Sequence, residues 1–431
     1  MPDPRRRFAP ADLLQAPDLW EESRRRSTSP RPLPPEPPSP STGRRFAAAA
    51  VALVLFAAAG GFAWMTLRPD ATPVEERVAS EPSGGAFDDL PTGWTELPAP
   101  PEVRRGAATA WTGNELLVWG GYTGFDEQNI TGDGLVFDAT SRAWGAMSTG
   151  QLSPRALAAS AWTGSELLVW GGWQGTFGYE FAEGLLDDGA AYDPASDAWR
   201  ALPSAPIEGR APLSVWTGRE LLVWGTAIRV EDRPRDGAAY DPSTDTWRTM
   251  PDAPIELTDA TAVWTGEEMI VVGAALCCGN DPESHTAIGA AYDPDNDSWR
   301  RIPDSELSPQ ASTAAWNGAE MIAWDYLNGS AAYDPATDTW RPLPRIPLDD
   351  FECSPRSVAV DAFVLGDYCG LLTLYDPELD AWKDVTRRDL SGLDFELASA
   401  APAGVLLAQD RLDTSMARMF VYRPSIEESL P

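Results

Sequence analysis

The sequence GAAYDPASDAWRALP, from Gly189 to Pro203, decides the fold of this chain. Copies of it recur along the chain, and in each copy the first aromatic residue lies seven positions before a tryptophan. The pairs are Phe137/Trp144, Tyr192/Trp199, Tyr240/Trp247, Tyr292/Trp299, Tyr333/Trp340 and Tyr375/Trp382. A constant spacing inside units of varying length indicates one supersecondary unit that is copied many times.

Each unit reads as four short antiparallel strands. The unit around Trp162 has a Thr-Gly-Ser-Glu turn, an apolar run ending at Trp170, the Tyr192 strand and the Trp199 strand. The glycine of the first turn supplies the positive φ that a tight hairpin needs. The Asp-Pro pair starts the second hairpin, because Asp accepts a hydrogen bond from the backbone two residues on and Pro presets φ. We therefore predict an all-β fold in which these Asp residues are structural.

The two ends of the repeat region complete each other. The region opens with an isolated closing strand at Trp94 and ends with an unfinished unit that includes Met419 and Tyr422. Joining the two gives a seventh four-stranded sheet, so residues 94–424 are predicted to form a seven-bladed β-propeller without an exposed sheet edge. Six or eight blades remain alternatives, because the last two units match the repeat poorly.

These residues resemble the Kelch family of β-propellers. Besides the aromatic pairs, the resemblance rests on the double glycines Gly120-Gly121 and Gly171-Gly172, although later units lack the second glycine. It implies four-stranded blades with the repeated Trp and Tyr packed between them. It also implies a partner-binding platform more often than an enzyme, and says little more about function.

The region before the propeller is predicted to anchor it in a membrane. Residues 1–45 contain nine Arg and six acidic residues and are rich in Pro, which is typical of a disordered tail. Residues 46–67, from Phe46 to Leu67, carry no charge and are long enough to cross the bilayer as a helix. The basic flank places the N-terminus in the cytoplasm and the propeller outside. Residues 68–93 read as a flexible linker and 425–431 as a tail; cleavage as a signal peptide is the alternative.

Charge restricts the partners. The formal net charge is −32, which argues against nucleic acid as a ligand because phosphate contacts need a basic face. The predicted partners are the lipid bilayer through residues 46–67 and an unknown protein or glycan outside. The segment from Asp18 to Arg26 starts like a short helix and could bind a cytoplasmic regulator, so a signalling protein is the second hypothesis.

The predicted ligand-binding face is the one that carries the variable loops and the links between blades. Arginines at similar offsets in the links would circle the central channel, and Arg with aromatic residues is typical of recognition surfaces. The predicted ligand- or partner-binding residues are Arg105, Arg155, Arg210, Arg356, Tyr122, Trp173 and Tyr179. The alternative is that these arginines bind neighbouring backbone carbonyls.

Catalysis finds little support in the sequence. His285 is the single histidine and no nucleophile motif accompanies it, so we predict no catalytic residues, cofactor or metal site. A carbohydrate-active propeller enzyme with Tyr, Arg and Glu near the channel is the third hypothesis. A disulfide between Cys353 and Cys369 is predicted, because both lie on one face of one blade outside the membrane. The adjacent Cys277 and Cys278 could bridge each other, stay free or pair elsewhere.

Overall fold

The computed structural model describes an all-β domain. The chain divides into two compact units, Met1–Arg77 and Val78–Pro431, and every described residue lies in the second. The described residues are 85–123, 129–175, 184–225, 235–274, 287–308, 313–325, 329–346, 356–360, 362–368, 371–387, 389, 393–400, 403–410 and 417–424. None of them belongs to a helix long and apolar enough to span a bilayer. The predicted span at residues 46–67 lies outside these ranges.

The strands group into seven four-stranded antiparallel sheets, numbered here as blades in chain order. The first strand, β1 (Gly93–Leu97), stands before blade 1. Blade 1 and its added hairpin contain β2 (Ala108–Trp111), β3 (Glu115–Trp119), β4 (Tyr122–Thr123), β5 (Asn129–Ile130), β6 (Gly134–Asp138) and β7 (Ala143–Ala146). Blade 2 contains β8 (Ala159–Trp162), β9 (Leu167–Trp170), β10 (Gly189–Asp193) and β11 (Ala198–Ala201). Blade 3 contains β12 (Leu213–Trp216), β13 (Leu221–Trp224), β14 (Gly237–Asp241) and β15 (Thr246–Met250).

Blades 4 to 7 follow the same plan. Blade 4 contains β16 (Thr258–Trp264), β17 (Met269–Ala274), β18 (Ala287–Asp293) and β19 (Ser298–Ile302). Blade 5 contains β20 (Thr313–Trp316), β21 (Met321–Trp324), β22 (Ser330–Asp334) and β23 (Thr339–Pro342). Blade 6 contains β24 (Arg356–Val360), β25 (Phe363–Tyr368), β26 (Leu371–Asp376) and β27 (Ala381–Asp384). Blade 7 contains β28 (Leu393–Ala400), β29 (Ala403–Asp410) and β30 (Ala417–Arg423), with β1 as its fourth strand.

The ring closes as the sequence predicts. Strand β1 pairs antiparallel with β30, with Gly93 opposite Arg423 and Trp94 opposite Tyr422. The first strand of every blade lies against the first strands of its two neighbours, and β2 of blade 1 lies against β28 of blade 7. The first strands therefore surround the central channel, and the prediction of seven blades is confirmed.

The repeated turns form through the residues that the sequence singles out. In blade 1 the hydroxyl of Thr112 accepts a hydrogen bond from the backbone N–H of Glu115 at 2.9 Å, and Gly113 has a φ of 101°. In blade 2 the carboxylate of Asp193 accepts from the N–H of Ala195 at 2.8 Å, while Asp197 adopts a φ of 50°. Antiparallel connectivity places both kinds of turn on one face of the ring, here called the turn face. The links and second turns lie on the opposite link face.

The hydrophobic core lies between blades, with buried clusters that join residues of adjacent sheets. The tryptophan of each fourth strand also donates its indole N–H to the preceding blade, as Trp247 does to the carbonyl of Pro203 at 3.0 Å. The acceptors for Trp144, Trp199, Trp299, Trp340 and Trp94 are the carbonyls of Pro98, Ser148, Pro251, Pro303 and Val385, and Trp382 uses the hydroxyl of Ser330. The predicted packing of the repeated aromatics between blades is confirmed.

A second set of contacts joins blades at the turn face. The arginine after the fourth-strand Trp binds the Glu of its own blade's first turn through two hydrogen bonds. The same guanidinium reaches a Tyr and an Asp of the next blade, as Arg248 does from Glu220 to Tyr292 and Asp297. We call this set the arginine clamp. Its arginines are Arg200, Arg248, Arg300 and Arg341.

Candidate functional site

Two of the predicted ligand-binding arginines are buried. The side chain of Arg155 is fully buried, donates to the carbonyls of Ser153, Gly171 and Asp188, and lies 2.7 Å from the Asp188 carboxylate. Arg210 is 5% exposed and binds the Asp236 carboxylate at 2.9 Å and 3.1 Å. Each guanidinium therefore connects the link before its blade to the third strand of the same blade. This is the alternative stated above, in which these arginines bind neighbouring backbone carbonyls.

The residue equivalent to Arg155 in blade 1 is Arg104 and not Arg105. Arg104 is 1% exposed and donates to the carbonyl of Asp133 at 2.6 Å, just as Arg155 donates to that of Asp188. Both aspartates directly precede the third strand of their blade. The distance in sequence from each arginine to the following first strand does not distinguish Arg104 from Arg105, because the links differ in length. Arg105 consequently occupies a different environment.

Arg105 lies against the added hairpin of blade 1. Its backbone pairs with Tyr122 through two hydrogen bonds of 3.0 Å and 2.9 Å. Its guanidinium carbon lies 5.1 Å from the centre of the Tyr122 ring, within the range of a cation–π contact. Both side chains are partly exposed. Of the predicted site residues, this pair is brought into direct contact.

Arg356 meets a carboxylate that sequence reasoning missed. It is the first residue of β24, and its Nη1 lies 2.9 Å from Oε2 of Glu396 in the neighbouring first strand β28. The other oxygen of Glu396 accepts from the backbone N–H of Gly106, at the start of blade 1, at 3.2 Å. Glu396 thus joins blades 6, 7 and 1 at the channel wall. We call Arg105, Gly106, Tyr122, Arg356 and Glu396 the channel cluster.

The partly buried carboxylate of Glu396 dominates the electrostatics of the channel cluster. Burial raises the pKa of Glu396, and the charge of Arg356, the N–H of Gly106 and the charge of Arg105 oppose that rise. The side chain of Glu396 is 19% exposed and that of Arg356 is 39% exposed, so solvent reaches both. A carboxyl with a perturbed pKa beside two arginines is typical of binding and catalytic sites.

The sequence could have predicted the contact between Arg356 and Glu396, but only after the first strands of the blades had been aligned. Pairing within the sheets places both Arg356 and Glu396 at the first-strand position that Ala108 and Ala159 occupy in blades 1 and 2. Charged residues of opposite sign at that position in two adjacent blades predict an ion pair. The sequence of blade 7 matches the repeat too poorly to be aligned without its fourth strand, β1.

The remaining predicted residues fall into two groups. Trp173 is 1% exposed and its backbone bridges Ala156 and Leu185, so it packs inside the link face. Outside the described residues lie Tyr179, Cys353, Cys369, Cys277, Cys278, His285 and the segment from Asp18 to Arg26. Those assignments stay predictions. Among the described residues there is no group of three or more metal-ligating side chains that could hold an ion.

Comparison with known proteins finds a similar solved structure but no matching sequence family. No family model matches the chain, and no curated protein matches it. A solved structure described as "Structure of YjhT" is similar, with 15% identity and a TM-score of 0.44 over 64% of this chain and 96% of that chain.

Proposed function

We propose that this chain is a binding protein whose propeller recognises a carboxylate-bearing ligand at the channel cluster. The observation that carries the proposal is the convergence of Arg105 and Arg356 around Glu396 where blades 6, 7 and 1 meet. Planar guanidinium groups bind carboxylates through paired hydrogen bonds, and both cations keep exposed surface.

The setting of this activity is also a proposal. An uncharged segment at residues 46–67 behind a basic flank supports a membrane-anchored propeller outside the cytoplasm. The aromatic pairs and double glycines support a propeller of the Kelch type. Neither affects the ligand chemistry, which rests on the channel cluster alone.

Binding by the full chain to two defined probes tests the proposal. Polygalacturonate supplies carboxylates on a glycan and a poly-glutamate peptide supplies them on a polypeptide, so the two probes separate the classes of ligand. We expect Arg356→Met to weaken binding of the preferred probe about tenfold or more, because one charge-assisted contact is lost. Arg301→Met, which removes an exposed arginine of β19, is the matched control. Equal binding by both variants, or binding to neither probe, would remove the basis of the proposal.

A carbohydrate-active enzyme is the second candidate, and one observation favours it. The raised pKa of Glu396 suits a general acid, and Tyr122 and two arginines lie nearby. Catalysis would appear as turnover of the glycan probe by the full chain. Turnover that disappears in Glu396→Gln while probe binding persists would replace the binding function with an enzymatic one.

A further inference from the structure

The interface between blades 1 and 2 has the acceptors of an arginine clamp but no arginine. Blade 1 contributes Glu115 and blade 2 contributes Tyr192 and Asp197, in the positions that Glu166, Tyr240 and Asp245 occupy one interface later. The clamp arginine follows the fourth-strand Trp, and after Trp144 that residue is Gly145. The three side chains that bind a guanidinium in the other clamps are thus present here, while the arginine is missing.

The complete clamps show what such a place binds. Arg200 donates through Nε and Nη2 to the two oxygens of Glu166 at 2.8 Å and 2.6 Å. Its Nη1 reaches the Tyr240 hydroxyl and the Asp245 carboxylate, both at 3.1 Å. The clamps of Arg248, Arg300 and Arg341 bind the same four kinds of atom. This side-chain set therefore holds a guanidinium in four independent copies.

The acceptors at the blade 1–blade 2 interface are arranged in the same way. The Tyr192 hydroxyl donates to Asp197 Oδ1 at 2.8 Å, as Tyr240 does to Asp245 at 2.6 Å. One difference is that the backbone N–H of Ser148 also donates to Asp197 Oδ1, at 2.8 Å, so a ligand would use the other oxygen of this carboxylate. No side chain among the described residues donates to the carboxylate of Glu115, whose pKa is raised by burial and then by the charge of Asp138.

The space for the missing side chain is open. Gly145 is exposed, and a Cβ added there would have only the carbonyl oxygen of Val136 nearby, at 4.0 Å. The first atom of an arginine side chain would therefore meet no obstacle at this position. The exposure of Gly145 also leaves this side of the interface open to solvent.

We propose that Glu115, Tyr192 and Asp197 form a binding site for a guanidinium group, supplied by an arginine side chain of a partner polypeptide. The paired oxygens of Glu115 match the fork of a guanidinium better than the single point charge of a lysine. The carboxylates of Asp138 and Asp197 disfavour a free amino acid, whose own carboxylate they repel. The site lies on the turn face and is independent of the channel cluster.

Calorimetric titration of the full chain with N-acetyl-arginine amide tests this site. We expect saturable binding that Glu115→Gln weakens about tenfold, because the charged bidentate acceptor is lost. Gly145→Arg should abolish it by filling the site from within. Ala146→Arg is the matched control: it adds the same charge one residue along the strand, where side chains point to the other face of the sheet, and should leave binding unchanged.

Three outcomes decide between the occupants. N-acetyl-lysine amide should bind about fivefold or more weakly, because it lacks the fork; equal affinity would overturn the assignment to guanidinium. Free L-arginine should also bind more weakly; equal binding would overturn the polypeptide source in favour of a small molecule. Unchanged binding by a folded Gly145→Arg variant would overturn the site itself.

Discussion

Removing one arginine of a clamp should destabilise the propeller by an amount set by the burial of its carboxylate partner. The Glu220 side chain is 6% exposed, and Arg248 donates to both of its oxygens, at 3.0 Å and 2.9 Å. Arg248→Met keeps the packing of the stem but leaves this carboxylate with only the exposed Arg219, at 3.9 Å, as a nearby cation. Breaking a fully buried pair costs about 3–5 kcal/mol, whereas an exposed pair contributes about 0.2–1 kcal/mol. Because Arg248 is about one-third exposed, we expect a loss of about 2 kcal/mol.

Thermal unfolding followed by near-ultraviolet circular dichroism measures this loss. For a domain of this size, about 1 kcal/mol corresponds to about 1.5 °C, so the midpoint should fall by about 3 °C. Arg300→Met is the matched control, and its effect should be about half as large because its partner Glu268 is 21% exposed. Adding Glu220→Met to Arg248→Met should restore most of the loss, since a buried pair replaced by apolar groups is nearly neutral. Equal losses for Arg248→Met and Arg300→Met, or a double variant that is less stable still, would refute the reasoning.

Three further predictions concern the fold and the channel cluster. Arg155→Met should cost about 3 kcal/mol by leaving the buried carbonyl of Gly171 without this donor and the carboxylate of Asp188 without its cation, while the exposed Arg301→Met should cost under about 0.5 kcal/mol in the same unfolding assay. Trp94→Phe should cost about 1–2 kcal/mol, because the hydrogen bond from the indole to Val385 is lost in the closing blade, and an unchanged midpoint would argue against that bond. Because the folded pKa of Glu396 is raised, its protonated form stabilises the fold below the unfolded pKa. That contribution is lost as pH rises through the folded pKa. The unfolding midpoint of Glu396→Gln should therefore rise relative to that of the unmodified protein as pH rises. A difference between the two midpoints that does not vary with pH would contradict the raised pKa.

The sequence predicts the fold well because the fold depends on local and repeated signals. The seven-residue spacing of Tyr192 and Trp199 reports their direct pairing across two adjacent strands, so one unit predicts the others. The isolated strand at Trp94 and the unfinished last unit predict closure by simple counting, and the β1–β30 pairing confirms it.

Contacts between units are harder to predict, because they depend on register. Glu115 and Glu166 look alike in sequence, and only the register of the fourth strand in each blade shows that Glu166 pairs with Arg200 while Gly145 takes the equivalent place in blade 1. Arg104 and Arg105 are adjacent, yet one is buried under its link and the other lies on a tyrosine. Links of unequal length conceal this second distinction.

The pairing of β1 with β30 has a consequence for the order in which the protein forms during synthesis. Blades 1 to 6 are complete in themselves and can form as the chain emerges, but Gly93 must wait for Arg423. Contacts of such large sequence separation carry the greatest loop-closure entropy and form late. Until β30 has been synthesised, β1 and the flanks of blades 1 and 6 expose unpaired edges and apolar faces to other chains. Synthesis of β30 thus separates an open, association-prone arc from a closed ring, and a product truncated before β30 remains in the first state.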